Sequence, residues 1–430
     1  MNLLELKEIG RFEEDTEQCM KCGFCTYVCP VYQEEKIESS VARGKNELVK
    51  GLLNGELRLS RSLADRLYKC TACMACTESC PSKAPIPRIM VAARADFART
   101  MGMRFPYGFA YRNLLTNRRL LGSFLRIGGF LQSTFMSGNN GTIRHLPGFM
   151  SALIKGRNLP AIAPRFLRQL VDTVSKPPRG TPSVMQVGFF PGCMNEFALP
   201  HIGKKTVDIL TRHGIEVVMP REQGCCGAAA FLGAGDFETG RKIADSNVAA
   251  FSEVDCIVTG CATCACTLRE YPHFLADTPE REESYGKFAL KIKHFSQFLT
   301  DTLSLPASSF QTAVGIKGKT LTWHDPCHLN RHLGIKEQPR RILKSLPDVN
   351  YVEMPDAGRC CGMAGQFSLL YNDLSRKIAE KKLESVEATD ADIVVTACPG
   401  CQYQLQDTIA RLKKPQRVMS LMEVMGVFEP

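Results

Sequence analysis

Two runs of four cysteines near the start of the chain constrain it more than any other feature. Cys19, Cys22, Cys25 and Cys29 are spaced C-x2-C-x2-C-x3-C and followed by Pro30. Cys70, Cys73, Cys76 and Cys80 repeat that spacing and are followed by Pro81. Three thiolates two residues apart can wrap three corners of one four-iron cluster. The fourth, before proline, ligates the neighbouring cluster in two-cluster ferredoxins. The spacing therefore groups Cys19, Cys22, Cys25 and Cys80 around one [4Fe–4S] cubane, and Cys70, Cys73, Cys76 and Cys29 around a second. Zinc is the rival, but structural zinc sites draw four ligands from two separated pairs. Here each run continues past a pair and ends in Cys-Pro. Between the runs, Asn46–Leu53 and Arg61–Lys69 read as helices, which predicts an α-helical ferredoxin domain over residues 1–100.

The chain carries 20 cysteines in 430 residues, with 44% hydrophobic and 23% charged residues. Such a composition buries cores without needing disulfides. Met1–Gly10 holds Glu5, Lys7 and Glu8 and no apolar run, so no secretory signal is expected there. No stretch of 18 or more apolar residues appears, so no membrane span is expected. The expected location is the reducing cytoplasm, where dense cysteine points to metal.

The net charge of +10 is concentrated. Between Phe97 and Val171 there are eleven basic residues and no acidic one: Arg99, Arg104, Arg112, Arg118, Arg119, Arg126, Arg144, Lys155, Arg157, Arg165 and Arg168. Leu114, Leu115, Leu120, Leu121, Phe124, Leu125, Phe130 and Leu131 interleave at roughly helical spacing. Residues 101–184 thus read as a basic helical linker. It is either a docking surface for the inner membrane face or an acidic partner, or a solvated face packed on its own domains. No nucleic-acid motif accompanies the charge, so nucleic acid is not an expected partner.

Residues 185–430 are an internal repeat. Gly192-Cys193 matches Pro326-Cys327, and Gly224-Cys225-Cys226-Gly227 matches Arg359-Cys360-Cys361-Gly362. Arg241–Ala244 matches Arg376–Ala379, and Asp255–Cys261 matches Asp392–Cys398. The offset stays between 134 and 137 residues. Two copies of one domain follow, over residues 185–310 and 311–430. In copy one, Met185–Phe190, Glu216–Met219 and Cys256–Thr259 read as strands, with helices over Pro200–His213 and Asp236–Phe251. Alternation of this kind predicts an α/β domain with a parallel, Rossmann-like sheet. The cysteines follow the strands, so they should collect at the carboxyl edge, where open α/β sheets place ligands.

Copy one offers Cys193, Cys225-Cys226-Gly227 and Cys261-x2-Cys264. Copy two offers Cys327, Cys360-Cys361-Gly362 and Cys398-x2-Cys401. This pattern resembles the cysteine-rich CCG domain of heterodisulfide reductase catalytic subunits and of iron–sulfur subunits of glycolate and D-lactate dehydrogenases. With the N-terminal ferredoxin, the resemblance covers nearly the whole chain. It implies two further [4Fe–4S] clusters, noncubane if all five thiolates of each set bind, plain four-ligand clusters otherwise. It also implies an oxidoreductase subunit for electron transport, served by an FAD-containing dehydrogenase subunit and passing electrons toward quinone or another acceptor. The alternative it leaves is a catalytic heterodisulfide (thiol–disulfide) reductase subunit. A weaker one is a module of a larger respiratory complex.

Other residues are less specific. Cys256 and Cys266 have no cysteine partner in copy two and read as packing thiols. His324 and His328 flank Cys327 and are the catalytic candidates, able to hydrogen-bond cluster sulfurs or move protons. They serve equally as polar caps of the next helix. Gly224, Gly227 and Gly362 bracket the Cys-Cys pairs and would let backbone approach a cluster, or simply turn the chain. Gly233 and Gly235 do not complete a dinucleotide fingerprint after a strand, so a flavin or nicotinamide is expected on another chain.

Overall fold

The computed structural model describes residues 6–103, 105–135, 142–143 and 159–427. Glu5, Arg104, Arg144, Lys155, Arg157 and the side chain of Leu131, all used in the sequence reading, lie outside the described residues.

The N-terminal part is helical. α1 (Ala42–Leu53), α2 (Arg61–Tyr68) and α3 (Ile86–Met101) pack around Val49, Leu52, Leu67, Ile89, Met90 and Phe97. α2 starts where Ser60 Oγ accepts from the Leu63 amide at 3.2 Å, an N-cap that satisfies one orphan donor. α1 begins four residues earlier than its apolar spacing suggested, because the chain around Glu38–Ser40 turns directly into it. In α3 the buried Asp96 carboxylate accepts the Glu8 and Ile9 amides, at 3.0 and 2.8 Å, and pairs with Arg99. That pins the first described turn to the domain's longest helix.

α4 (Arg118–Phe135) leads away from this domain. Its Gly128 and Gly129 face the Ile162 side chain, whereas Leu120, Phe124, Ile127 and Phe130 are exposed. Among the described residues no helix is long and apolar enough to cross a membrane.

Copy one is a five-stranded sheet built from β1 (Val174–Ser175), β2 (Met185–Phe189), β3 (Ile215–Val218), β4 (Ile257–Thr259) and β5 (Ile292–His294), in the order β1-β3-β2-β4-β5. β2 through β5 pair in parallel, whereas β1 is an antiparallel edge strand contributed by the segment before residue 185. The all-parallel expectation is corrected at that edge. α5 (Pro200–Arg212) and α6 (Phe237–Ala250) are crossovers, and α7 (Ala262–Arg269) follows β4. Copy two repeats the plan with β6 (Thr320–Trp323), β7 (Asn350–Val352), β8 (Ile393–Thr396) and β9 (Arg417–Ser420), in the order β7-β6-β8-β9, all parallel. The central strands are buried Val, Ile and Leu runs, as parallel strands covered on both faces require. Counting strands within each copy, both sheets run 2-1-3-4, which puts a topological switch between the first and third strands.

The two copies share one apolar core that runs from Val187 and Phe189 through Leu321, Trp323 and Val394 to Met422. A second core joins the outer face of copy one, through Phe190, Phe231 and Tyr271, to the helices of the N-terminal domain. Copy one is therefore packed on both sides. The buried Arg94 of α3 reinforces this joint by donating to the Leu232 carbonyl at 2.7 Å and to the Cys70 carbonyl.

Candidate iron–sulfur sites

The two N-terminal cysteine runs wrap in the same way. In each, a left-handed residue sits two positions after the first cysteine (Lys21, Ala72) and one position after the second (Gly23, Met74). Such conformations are costly for residues with a Cβ and bend the chain into a concave loop. The last cysteine of each run leaves its own loop. Cys29 lines a small cavity of about 30 Å³ with Cys70, Cys73 and Cys76. Cys80 Sγ lies 3.2 Å from Ser82 Oγ, and that hydroxyl donates to the Gln18 carbonyl at 2.6 Å, next to Cys19. The buried Lys45 of α1 also lines the cavity around Cys29, and its ammonium donates to the Ser40 carbonyl at 2.6 Å. Nothing in the cysteine spacing marks that cation.

The repeat places its cysteines at the carboxyl edges of the strands. Cys193 follows β2, Cys225 and Cys226 follow β3, and Cys261 and Cys264 stand at the start of α7. Copy two repeats this with Cys327 after β6, Cys360 and Cys361 after β7, and Cys398 and Cys401 after β8. The left-handed Gly227 and Gly362 aim their amides back at Cys225 Sγ and Cys360 Sγ, each at 3.4 Å. At Gly362 a Cβ would lie 2.6 Å from the Ser375 carbonyl oxygen, so glycine is required there for space as well as for φ.

All ten of these cysteines line one cavity of about 270 Å³ between the copies, and Cys70 joins them. The two sets thus face a common space rather than two separate ones. Cys73 of the second N-terminal run packs in an apolar cluster with Cys360 and Cys327 of copy two.

His324 is 1% exposed, and neither ring nitrogen has a hydrogen-bond partner. Its ring lies with Cys361 and Cys401 Sγ, all three ligand atoms within 4.8 Å. His328 turns away from its own copy: its Nδ1 meets Thr263 Oγ1 of α7 at 3.0 Å, and that hydroxyl lies 3.3 Å from Cys398 Sγ. Of the two cysteines without counterparts, Cys256 is a buried core thiol. Cys266 is fully buried as well, and its sulfur and one ring nitrogen each of His328 and His332 lie within 4.8 Å of one another.

The residues fit four-iron clusters. All twenty cysteines are free thiols, soft donors of the kind iron–sulfur sites use. Burial pushes the Cys29 thiol up to about 12 and raises Cys76 and Cys327 as well. Thiols so buried ionise only beside a cation, which cluster iron supplies. A ring nitrogen of the buried His324 lies within 4.8 Å of the Cys361 and Cys401 sulfurs.

Comparison with known proteins agrees. A 4Fe-4S dicluster domain matches residues 15–84, and a cysteine-rich CCG domain matches residues 187–269 and again 321–406. The probable glycolate oxidase iron-sulfur subunit of Bacillus subtilis is 30% identical over 95% of this chain and 93% of its own length. Lactate utilization protein A of Geobacillus kaustophilus is 34% identical over 56% of this chain and 99% of its own. A subunit of the CoM/CoB fumarate reductase of Methanothermobacter marburgensis is 26% identical over 96% of this chain and 73% of its own. A crystal structure of a hypothetical Helicobacter pylori protein covers 97% of this chain and 75% of that one, with a TM-score of 0.55 at 8% identity, and so shares the fold. The chain carries 4Fe–4S clusters and belongs to the family of oxidoreductase iron–sulfur subunits that join a 4Fe–4S dicluster domain to two CCG domains.

Proposed function

We infer that this chain is the electron-transfer subunit of a flavin-linked 2-hydroxyacid dehydrogenase of the glycolate or D-lactate type. The full-length likeness to a glycolate oxidase iron-sulfur subunit carries this reading. Domains over residues 1–100, 185–310 and 311–430 hold the groups, joined by the 101–184 segment. Cys19, Cys22, Cys25 and Cys80 would hold one cubane, and Cys29, Cys70, Cys73 and Cys76 the second. Cys193, Cys225, Cys226, Cys261 and Cys264 would hold a third cluster in one Rossmann-like copy. Cys327, Cys360, Cys361, Cys398 and Cys401 would hold the fourth, noncubane if five thiolates bind. Bound clusters supply one-electron chemistry, which suits a two-electron flavin donor on a partner chain. The protein's part is to exclude water from the shared cavity and to hold Cys73 against Cys360, so that the second N-terminal site adjoins copy two.

Co-purification with an FAD-containing chain, and dye reduction by glycolate or D-lactate only when both chains are present, tests the reading. Activity of the flavin chain alone toward the same dye, unchanged by this subunit, would sink it. The exposed apolar face of α4, edged by Arg119 and Arg126, supports peripheral docking on an anionic inner membrane face, near quinone. Co-sedimentation with anionic but not neutral vesicles checks that.

One observation favours a second reading. Ten thiols around a single apolar cavity would also suit a heterodisulfide-type reductase, with a disulfide substrate entering between the copies. Reduction of a mixed disulfide by the isolated chain with a viologen donor would select it over the first.

A further inference from the structure

Cys266 lies outside both five-cysteine sets, yet it is fully buried on α7 where copy one, copy two and the N-terminal domain meet. Facing it are His328 and His332, four residues apart on one helical turn, a spacing that puts two imidazoles on one side. Their rings are 4.9 Å apart between centroids. One ligand atom from each of the three residues lies within 4.8 Å of the others.

The hydrogen bonds fix which nitrogens are bare. His332 Nε2 lies 3.0 Å from the Ala72 carbonyl, which can only accept, so Nε2 carries the proton and Nδ1 presents its lone pair. His328 Nδ1 lies 3.0 Å from Thr263 Oγ1. A Thr263 hydroxyl donating to Cys398 Sγ accepts from His328 Nδ1–H, which leaves Nε2 bare. Metal-bound histidines characteristically donate their second N–H to a backbone carbonyl or another fixed acceptor.

We propose that Cys266, His328 and His332 bind one Zn²⁺ ion that fastens the three domains together. One thiolate and two neutral imidazoles form a three-ligand zinc set, with the fourth tetrahedral position left to water. Zinc holds sulfur at about 2.3 Å and nitrogen at about 2.0–2.1 Å, which asks the ligand atoms to close to roughly 3.5 Å from one another. Binding exchanges the Cys266 proton for the metal, so one proton leaves to solvent for each ion bound. The site is not duplicated. By the repeat offsets, Met194 and Ala198 replace the two histidines in copy one, and Tyr403 replaces Cys266 in copy two.

Metal analysis of the iron-loaded, full-length protein from zinc-supplemented growth tests this. About one zinc per chain is expected beside the iron, lost in Cys266→Ser and in His332→Gln while iron content and cluster absorption stay at the wild-type level. Zinc K-edge absorption of the wild type, which needs no variant to fold, should report one sulfur and two nitrogen neighbours. Wild-type protein without zinc, zinc retained in both variants, or a zinc shell of four sulfurs overturns the proposal.

Discussion

The two CCG copies hold the same five cysteines on the same strand order, yet their surroundings differ. Behind the copy-two set stand His324 and His328; the residues 134 positions earlier in copy one are Phe190 and Met194. Phe190 belongs to the core that copy one shares with the N-terminal helices, whereas His324 is buried with both ring nitrogens unpaired. The duplication has kept the five cysteines and changed the layer around them. Copy one has become an apolar, doubly packed centre. Copy two has become a polar one next to Cys73 of the N-terminal domain. Hydrogen bonds and exposure tune cluster potentials, so equal ligands do not make equal sites.

The largest expected effect tests whether the copies are separate sites at all. Cys225→Ser/Cys226→Ser and Cys360→Ser/Cys361→Ser should each remove about four of about sixteen irons per chain, counted by iron and sulfide assay. Loss of about eight from either pair would make the shared cavity a single site. Next in size is Gly188→Ala. Its new Cβ would meet the Phe251 ring at 2.7 Å and Val254 Cγ2 at 3.0 Å, so about 1–3 kcal/mol of stability should be lost, seen as a lower Tm. The matching position in copy two is Thr322, whose buried hydroxyl has no partner. Thr322→Val should therefore be neutral or stabilising by about 1 kcal/mol.

Smaller still is His324→Phe, which gives copy two the residue of copy one. Loss of a donor near Cys361 and Cys401 should lower one cluster potential by about 40 mV, equivalent to about 1 kcal/mol, in a redox titration followed by EPR. Iron content should not change, and an unmoved potential would mean that the histidine only fills space. The smallest effect belongs to the periphery. Lys242→Ala breaks an exposed pair with Glu238 at 2.9 Å on α6 and should cost under about 0.5 kcal/mol.

Much of this was legible in the chain. The helices α1 and α2, strands β2 to β4 and the crossovers α5 and α6 fall within a few residues of where periodicity puts them. Those elements are long, or fully buried, and their patterns are local. β1 was not legible, because two residues carry no period and pair only once β3 exists. Lys45 was not legible either, since a lysine in an amphipathic helix ordinarily faces water, and only the fold reveals that this one is 2% exposed beside Cys29. The histidines beside Cys266 were not legible for a related reason: His328 and His332 are more than sixty residues away. The spacing of those two histidines was the available signal.

The sequence by itself determined the candidate donor sets, the duplication and the class of cofactor. Ligand spacing in a cysteine run is a local property, and a repeat preserves it. Only the tertiary structure decided what those donors share. It brought ten cysteines to one cavity, set Cys73 against Cys360, placed an unpaired histidine beside one set and a phenylalanine beside the other, and closed Cys266 onto two histidines. Such relations depend on how two sheets and a helical domain pack through common cores, and that packing is settled by many weak contacts summed over distant segments.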